Sequence, residues 1–158
     1  MTSLPAMRRA RVLLLIALGV VLFVAVSGLL ARVFSLDGAE RSAITGLIQA
    51  EARGDASAMS ARISGCHQSA SCQERVAADA RVLRRAGTVL ILQINPSAGF
   101  SLDSTLGTAR VAWRAGSSLP VVQCVKVRRA GNALKGQRVE LLEISQRIQT
   151  SADCPMRY

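Results

Sequence analysis

Twenty consecutive residues, Val12 to Ala31, carry no charge, and three arginines, Arg8, Arg9 and Arg11, stand just before them. The hydrocarbon core of a bilayer is spanned by about 20 apolar residues at roughly 1.5 Å of helical rise each. The run therefore predicts a transmembrane helix over residues 12–33, a cytoplasmic stub over 1–11 and one domain over 34–158. Within lipid the segment must pair its own backbone groups, which requires a helix. Basic residues ahead of it hold that end in the cytoplasm, so the chain reads as a single-pass cell-membrane protein with its C-terminal domain outside. Gly19 and Gly28 suit a membrane helix but do not form a GxxxG seam for tight helix pairing.

A cleaved signal peptide is the rival reading. Its charged region would be Met7 to Arg11, its apolar region Val12 to Val24, and Ala25-Val26-Ser27 would offer small residues at the cleavage site. The apolar run continues past that point to Ala31, which favours an uncleaved anchor. Either way the folded domain lies on the same side of the membrane.

The formal charge of +10 is unevenly placed: Arg8, Arg9, Arg11 and Arg32 flank the apolar run, and the remainder carries 16 basic against 10 acidic residues. Such a surface stays soluble by repulsion, or is drawn to anionic head groups or an acidic partner. Nucleic acid is not an expected partner, because aromatics are few and no basic stretch is interleaved with stacking residues. The 125 residues after Val33 suffice for one domain with its own core. All four cysteines, Cys66, Cys72, Cys124 and Cys154, fall in that domain. An even count in an exported domain suggests two disulfides. Of three possible pairings we favour Cys66–Cys72 and Cys124–Cys154, the longer loop contributing roughly 3 kcal/mol on a chain-entropy model.

Along the domain, Leu36-Asp37-Gly38 marks an expected exit from the membrane helix. A new helix then follows, with Ile44, Leu47 and Ile48 on one face and Glu40 suiting its N-terminal dipole. Gly54 stops it and Asp55 caps a short helix over about 56–63, with Met59 and Ile63 inward. The Cys66–Cys72 loop precedes a third helix over about 73–86, whose buried face is Val76, Ala80 and Leu83. The period then changes to two, predicting strands over about 88–95, 106–115, 120–129 and 137–148. Ala109, Val111 and Trp113 share one face of the second; Val121, Val125 and Val127 oppose Cys124, Lys126 and Arg128 on the third; Leu142, Ile144 and Ile148 are the expected inner face of the fourth. Helices followed by an antiparallel meander make an α+β domain: three helices packed on a curved four-stranded antiparallel sheet.

The segment Ile44-Thr-Gly-Leu-Ile-Gln-Ala-Glu-Ala-Arg-Gly-Asp-Ala-Ser-Ala-Met59 resembles the first helices of the NTF2-like, cone-shaped α+β superfamily, in which an apolar helix ends in a Gly-Asp pair and a short helix follows. The resemblance extends over about residues 40–148 and takes in the later strands. It implies an NTF2-like or cystatin-like fold, of a membrane-anchored bacterial type similar to Mce-associated proteins. The family usually has a strand between its second and third helices, where this chain has the cysteine loop.

No catalytic constellation stands out. There is no phosphate loop, no Ser-His-Asp set and no zinc helix motif. Cys66, His67 and Cys72 lack a fourth metal ligand, so neither a metal nor another cofactor is expected. Enzymes of the resembled family place an acid or histidine in the cone, which makes Asp79, Asp103 and Trp113 the cavity candidates. Asp79 lies at the edge of an apolar helix face, where an ion pair with Arg75 is the plainer role. Asp103 precedes a strand as a turn residue, and Trp113 belongs to the core or to a cavity wall. The expected function is a non-enzymatic, membrane-anchored binding module for an envelope protein or a small apolar ligand, accessory to an envelope or transport complex. The competing class is an NTF2-like isomerase or cyclase acting on a small apolar substrate.

Overall fold

A computed structural model of the chain describes residues 4–97, 104–132, 136–149 and 154. It divides into two units, Met1–Ser35 and Leu36–Tyr158. The first is helical from Leu4, and its apolar stretch is wholly unburied; Phe23 is 71% exposed. Each large apolar side chain left in water forgoes about 1.5–3 kcal/mol of burial, a cost that a bilayer removes. The helix is long and apolar enough to cross one.

Helix α1 spans Leu4–Arg53, so the break expected at Leu36-Asp37-Gly38 is absent. A glycine inside a helix costs only about 1 kcal/mol relative to alanine. Gly38 lies between Asp37 and Glu40 along the helix, and both acids are held by Arg129. In the second unit Ile44, Leu47 and Ile48 form the buried stripe of α1. The helix ends where Gly54 turns left-handed at φ +75°; a side chain there would also press on the carbonyl of Ala80. Asp55 caps α2 (Ala56–Arg62) by accepting from the Ala58 N–H at 2.9 Å, and Met59 is buried beneath it.

Ile63 then extends and makes one parallel bridge to Leu141, where the Ser64 N–H donates to the Leu141 carbonyl at 2.7 Å. After a 3-10 turn over Cys66–Gln68, α3 runs Ala70–Val82. It starts earlier than its apolar spacing indicates because Ser69 Oγ accepts from the Cys72 N–H. It closes at Leu83, leaving Arg84 and Arg85 beyond it.

Strands β1 (Val89–Asn95), β2 (Thr105–Ala115), β3 (Val121–Asn132) and β4 (Gly136–Ile144) form an open antiparallel sheet in the order β1-β2-β3-β4. One face buries Ala109, Val111, Trp113, Val121, Val125 and Val127 in a common core with the α1 stripe, Met59, Val76, Ala80 and Leu83. The fold class is α+β. β4 departs from its expected inner face. Val127 pairs with Leu141 and Lys126 with Glu143, so Leu142 is an extra residue. This bulge puts Leu141 and Ile144 inside and leaves Leu142 half-buried. β4 also stops at Ile144 rather than 148: the Ser145 N–H still donates to the Cys124 carbonyl at 2.8 Å, but Ser145 Oγ takes the place of its carbonyl in accepting from the Cys124 N–H at 2.9 Å, and the Ser145 carbonyl accepts from Gln123 instead. Ile148 returns for a single bridge to Val122.

Both disulfides are present, Cys66–Cys72 and Cys124–Cys154. The first fastens the 3-10 turn to the first turn of α3, so Cys72 is helical rather than part of a loop. The second ties the segment after β4 to β3.

Candidate functional site

Four polar side chains occupy positions that periodicity assigns to apolar faces. Glu40 and Glu51 lie on the helical stripe of Ile44, Leu47 and Ile48. Gln123 and Arg129 alternate with Val121, Val125 and Val127 on the inner face of β3. All four are buried, and burial without partners is costly.

The partners form two clusters. In the first, Arg129 donates from Nε and Nη2 to Glu40 Oε2 at 2.9 and 2.7 Å, and from Nη2 to Asp37 Oδ1 at 2.6 Å. The other oxygen, Glu40 Oε1, accepts from the Ser97 N–H at 2.7 Å, while Ser97 Oγ donates to Oε2. Burial alone would lower the Arg129 pKa. The hydrogen bonds and charges of Glu40, then Asp37, outweigh it and hold that pKa above its ordinary value.

In the second cluster Trp113 Nε1 donates to Gln123 Oε1 at 2.8 Å. Gln123 Nε2 then donates to Glu51 Oε1 at 2.8 Å and to the Ser145 carbonyl at 3.1 Å. Glu51 Oε2 has no partner among the described residues, and neither has Asp79 Oδ2. Burial pushes the Glu51 pKa up to about 8, against the Gln123 hydrogen bond and with the help of the Asp79 charge. Burial likewise raises Asp79 to about 6, with Arg75 opposing. Burial thus pushes both acids towards their neutral forms, Glu51 further than Asp79, and raised carboxyl pKa values of this kind are also a feature of general acid–base sites.

Asp79 is thus not the surface ion-pair residue its place on the helix edge indicated. It is 4% exposed, on the inward side of α3. Trp113 is fully buried in the core and joins Glu51 through Gln123. Asp103 lies outside the described residues. Glu51 and Gln123 were missed by sequence reasoning, although their spacing carries the signal. His67 is exposed, with Nδ1 3.4 Å from Ser60 Oγ. Among the described residues no group of three or more His, Cys, Asp or Glu side chains could hold a metal.

Chemistry at Glu51 and Asp79 needs an opening for a substrate. Two depressions lie elsewhere. One of about 200 Å³ sits between the Cys66–Cys72 segment and β4, and one of about 370 Å³ lies on the outer face of the sheet. Neither is lined by Glu51, Asp79 or Trp113. No family model, curated protein or solved structure matches the chain.

Proposed function

We propose that this chain is a membrane-anchored, extracytoplasmic binding module of NTF2-like type, accessory to an envelope or transport complex as the bacterial Mce-associated proteins are. The observation that carries the reading is the contrast between the two units: an unburied apolar helix preceded by arginines, and a disulfide-bonded α+β unit holding every cysteine. The arginines orient the helix with its N-terminus inside, and disulfides persist in oxidising compartments. The helix–Gly-Asp–helix start and the bridge of Ile63 to β4, placed where the family has a further strand, support the fold reading. A packed core and leucines exposed on the sheet support binding at a surface over catalysis in a cavity.

Alkaline extraction of membranes carrying the full chain tests the anchor, with the N-terminus sequenced in the same sample. Retention in the pellet with the original N-terminus supports an uncleaved anchor. Release of a form beginning near Gly28 means a cleaved signal peptide and ends the anchored reading.

The buried acids favour one second reading, an isomerase or cyclase in which Asp79 takes a proton and Glu51 gives one. Turnover of a small apolar carbonyl compound that Asp79→Asn abolishes while the melting curve is kept would support it.

A further inference from the structure

We propose that the outer face of β1 and β2 is a docking surface for an acidic protein segment that presents an apolar side chain. This rests on the reading of the domain as a binding module and names its surface.

The two halves of this face differ in charge. On the β3–β4 half, basic and acidic residues neutralise one another: Lys126 with Glu143 at 3.6 Å, and Arg128 and Arg138 with Glu140 at 2.5 and 2.7 Å. On the β1–β2 half there is no acid at all in either strand, yet Arg110 and Arg114 stand there. Neither makes an ion pair among the described residues. Leu90, Leu92 and Leu106 are 50%, 46% and 62% exposed on the same two strands. Positive charge beside exposed leucines is complementary to a partner that is both acidic and apolar.

The surface is also shaped. The depression of about 370 Å³ is lined by the short side chains of Ala112 and Val122 together with the longer Leu92 and Arg110. Gln93 Nε2 donates to Asn95 Oδ1 at 2.9 Å along one side. Small residues between larger ones leave room for an inserted side chain, with Arg110 placed to meet a neighbouring carboxylate. A concavity of this kind suits a protruding side chain better than a planar layer of lipid head groups. β1 is moreover the end strand of the sheet and carries no charge. Uncharged apolar edge strands are normally covered.

The test uses the full chain in phosphatidylcholine nanodiscs and a short fluorescein-labelled peptide with a central Leu pair flanked by glutamates. A second peptide has lysines in place of the glutamates. Anisotropy should show saturable binding of the glutamate peptide only. Arg110→Glu, which reverses the charge, and Ala112→Phe, which fills the depression without changing charge, should each weaken it about tenfold. Arg62→Glu, an equal charge change at an exposed position on α2, should leave it intact. Both of the first two replacements are at the outer face, and unchanged near-ultraviolet circular dichroism confirms their folding. No binding of the glutamate peptide, equal loss with Arg62→Glu, or equal binding by all variants overturns the proposal. Such a failure, with the chain still anchored in the alkaline extraction, removes this surface and leaves the anchored reading standing.

Discussion

Glu40 and Glu51 share one face of α1, about three helical turns apart, and both are fully buried. Glu40 meets a guanidinium, a backbone N–H and a hydroxyl, so both of its oxygens are paired. Glu51 meets one amide, and its second oxygen has no partner among the described residues. Equal burial on the same helix thus gives a carboxylate built into an ion pair and a carboxyl pushed towards its neutral form. What differs is the partner supplied from β3: Arg129 at one level, Gln123 at the other. A buried acid opposite a single neutral amide is pushed towards its protonated form because one hydrogen bond does not offset the lost hydration of its charge.

The largest effect should come from removing the cation. Arg129→Met leaves Glu40 buried without its counter-charge, a loss of about 3–5 kcal/mol that lowers Tm by roughly 10–20 °C. Adding Glu40→Leu removes both charges and should recover much of that loss, because the half-exposed Asp37 can be hydrated instead. Recovery of nothing in the double variant would mean that the pair acts through packing rather than charge.

An effect of similar size, spread over pH, should appear at Glu51. The folded pKa of about 8 lies above the unfolded value of 4.5. Between these values the native state binds more protons than the unfolded state, so stability falls as pH rises and levels off above about pH 8. The contribution is fully present below pH 4.5 and amounts to roughly 3–5 kcal/mol lost by high pH. Glu51→Gln keeps the shape and removes the titration. It should match the parent near pH 5 and exceed it in Tm near pH 9. Parallel curves for the two proteins from pH 5 to 9 would show that Glu51 titrates normally.

The smallest effect separates burial from charge. Asp79→Asn removes the neighbouring charge that raises Glu51, so the midpoint of the Glu51 titration should move down. It should stay above 4.5 because desolvation is the larger cause. A midpoint that does not move would mean that the two acids are independent.

The sequence carried the parts of this arrangement that depend on local period. Ile44, Leu47 and Ile48 defined the helix face, the alternation of Val121, Val125 and Val127 defined the strand face, and Gly54-Asp55 defined the break between α1 and α2. The same periods place Glu40, Glu51, Gln123 and Arg129 inside, yet Glu40 read as a dipole residue and Glu51 was given no role. Their partners lie 89 and 72 positions away, and no local pattern says which residues meet across a fold. The bulge at Leu142 was hidden for a related reason. Alternation gives a strand's faces only while its register holds, and the shift is set by pairing with β3. Asp79 showed the limit of a helix-edge assignment, since the elements packed around the helix decide which side of the edge is buried.

The most direct test of the account uses the four cysteines, all of which follow the apolar helix. Intact cells carrying the full chain are treated with a membrane-impermeant maleimide, with and without an impermeant reductant, and the mass of the chain is read. The account predicts no label without reductant and, with it, label on Cys72 and Cys154, the half-buried partners of the two bridges, ahead of the buried Cys66 and Cys124. Labelling that appears only after lysis would place the domain inside, and labelling without reductant would remove the disulfides; either result contradicts an oxidised domain held outside the membrane.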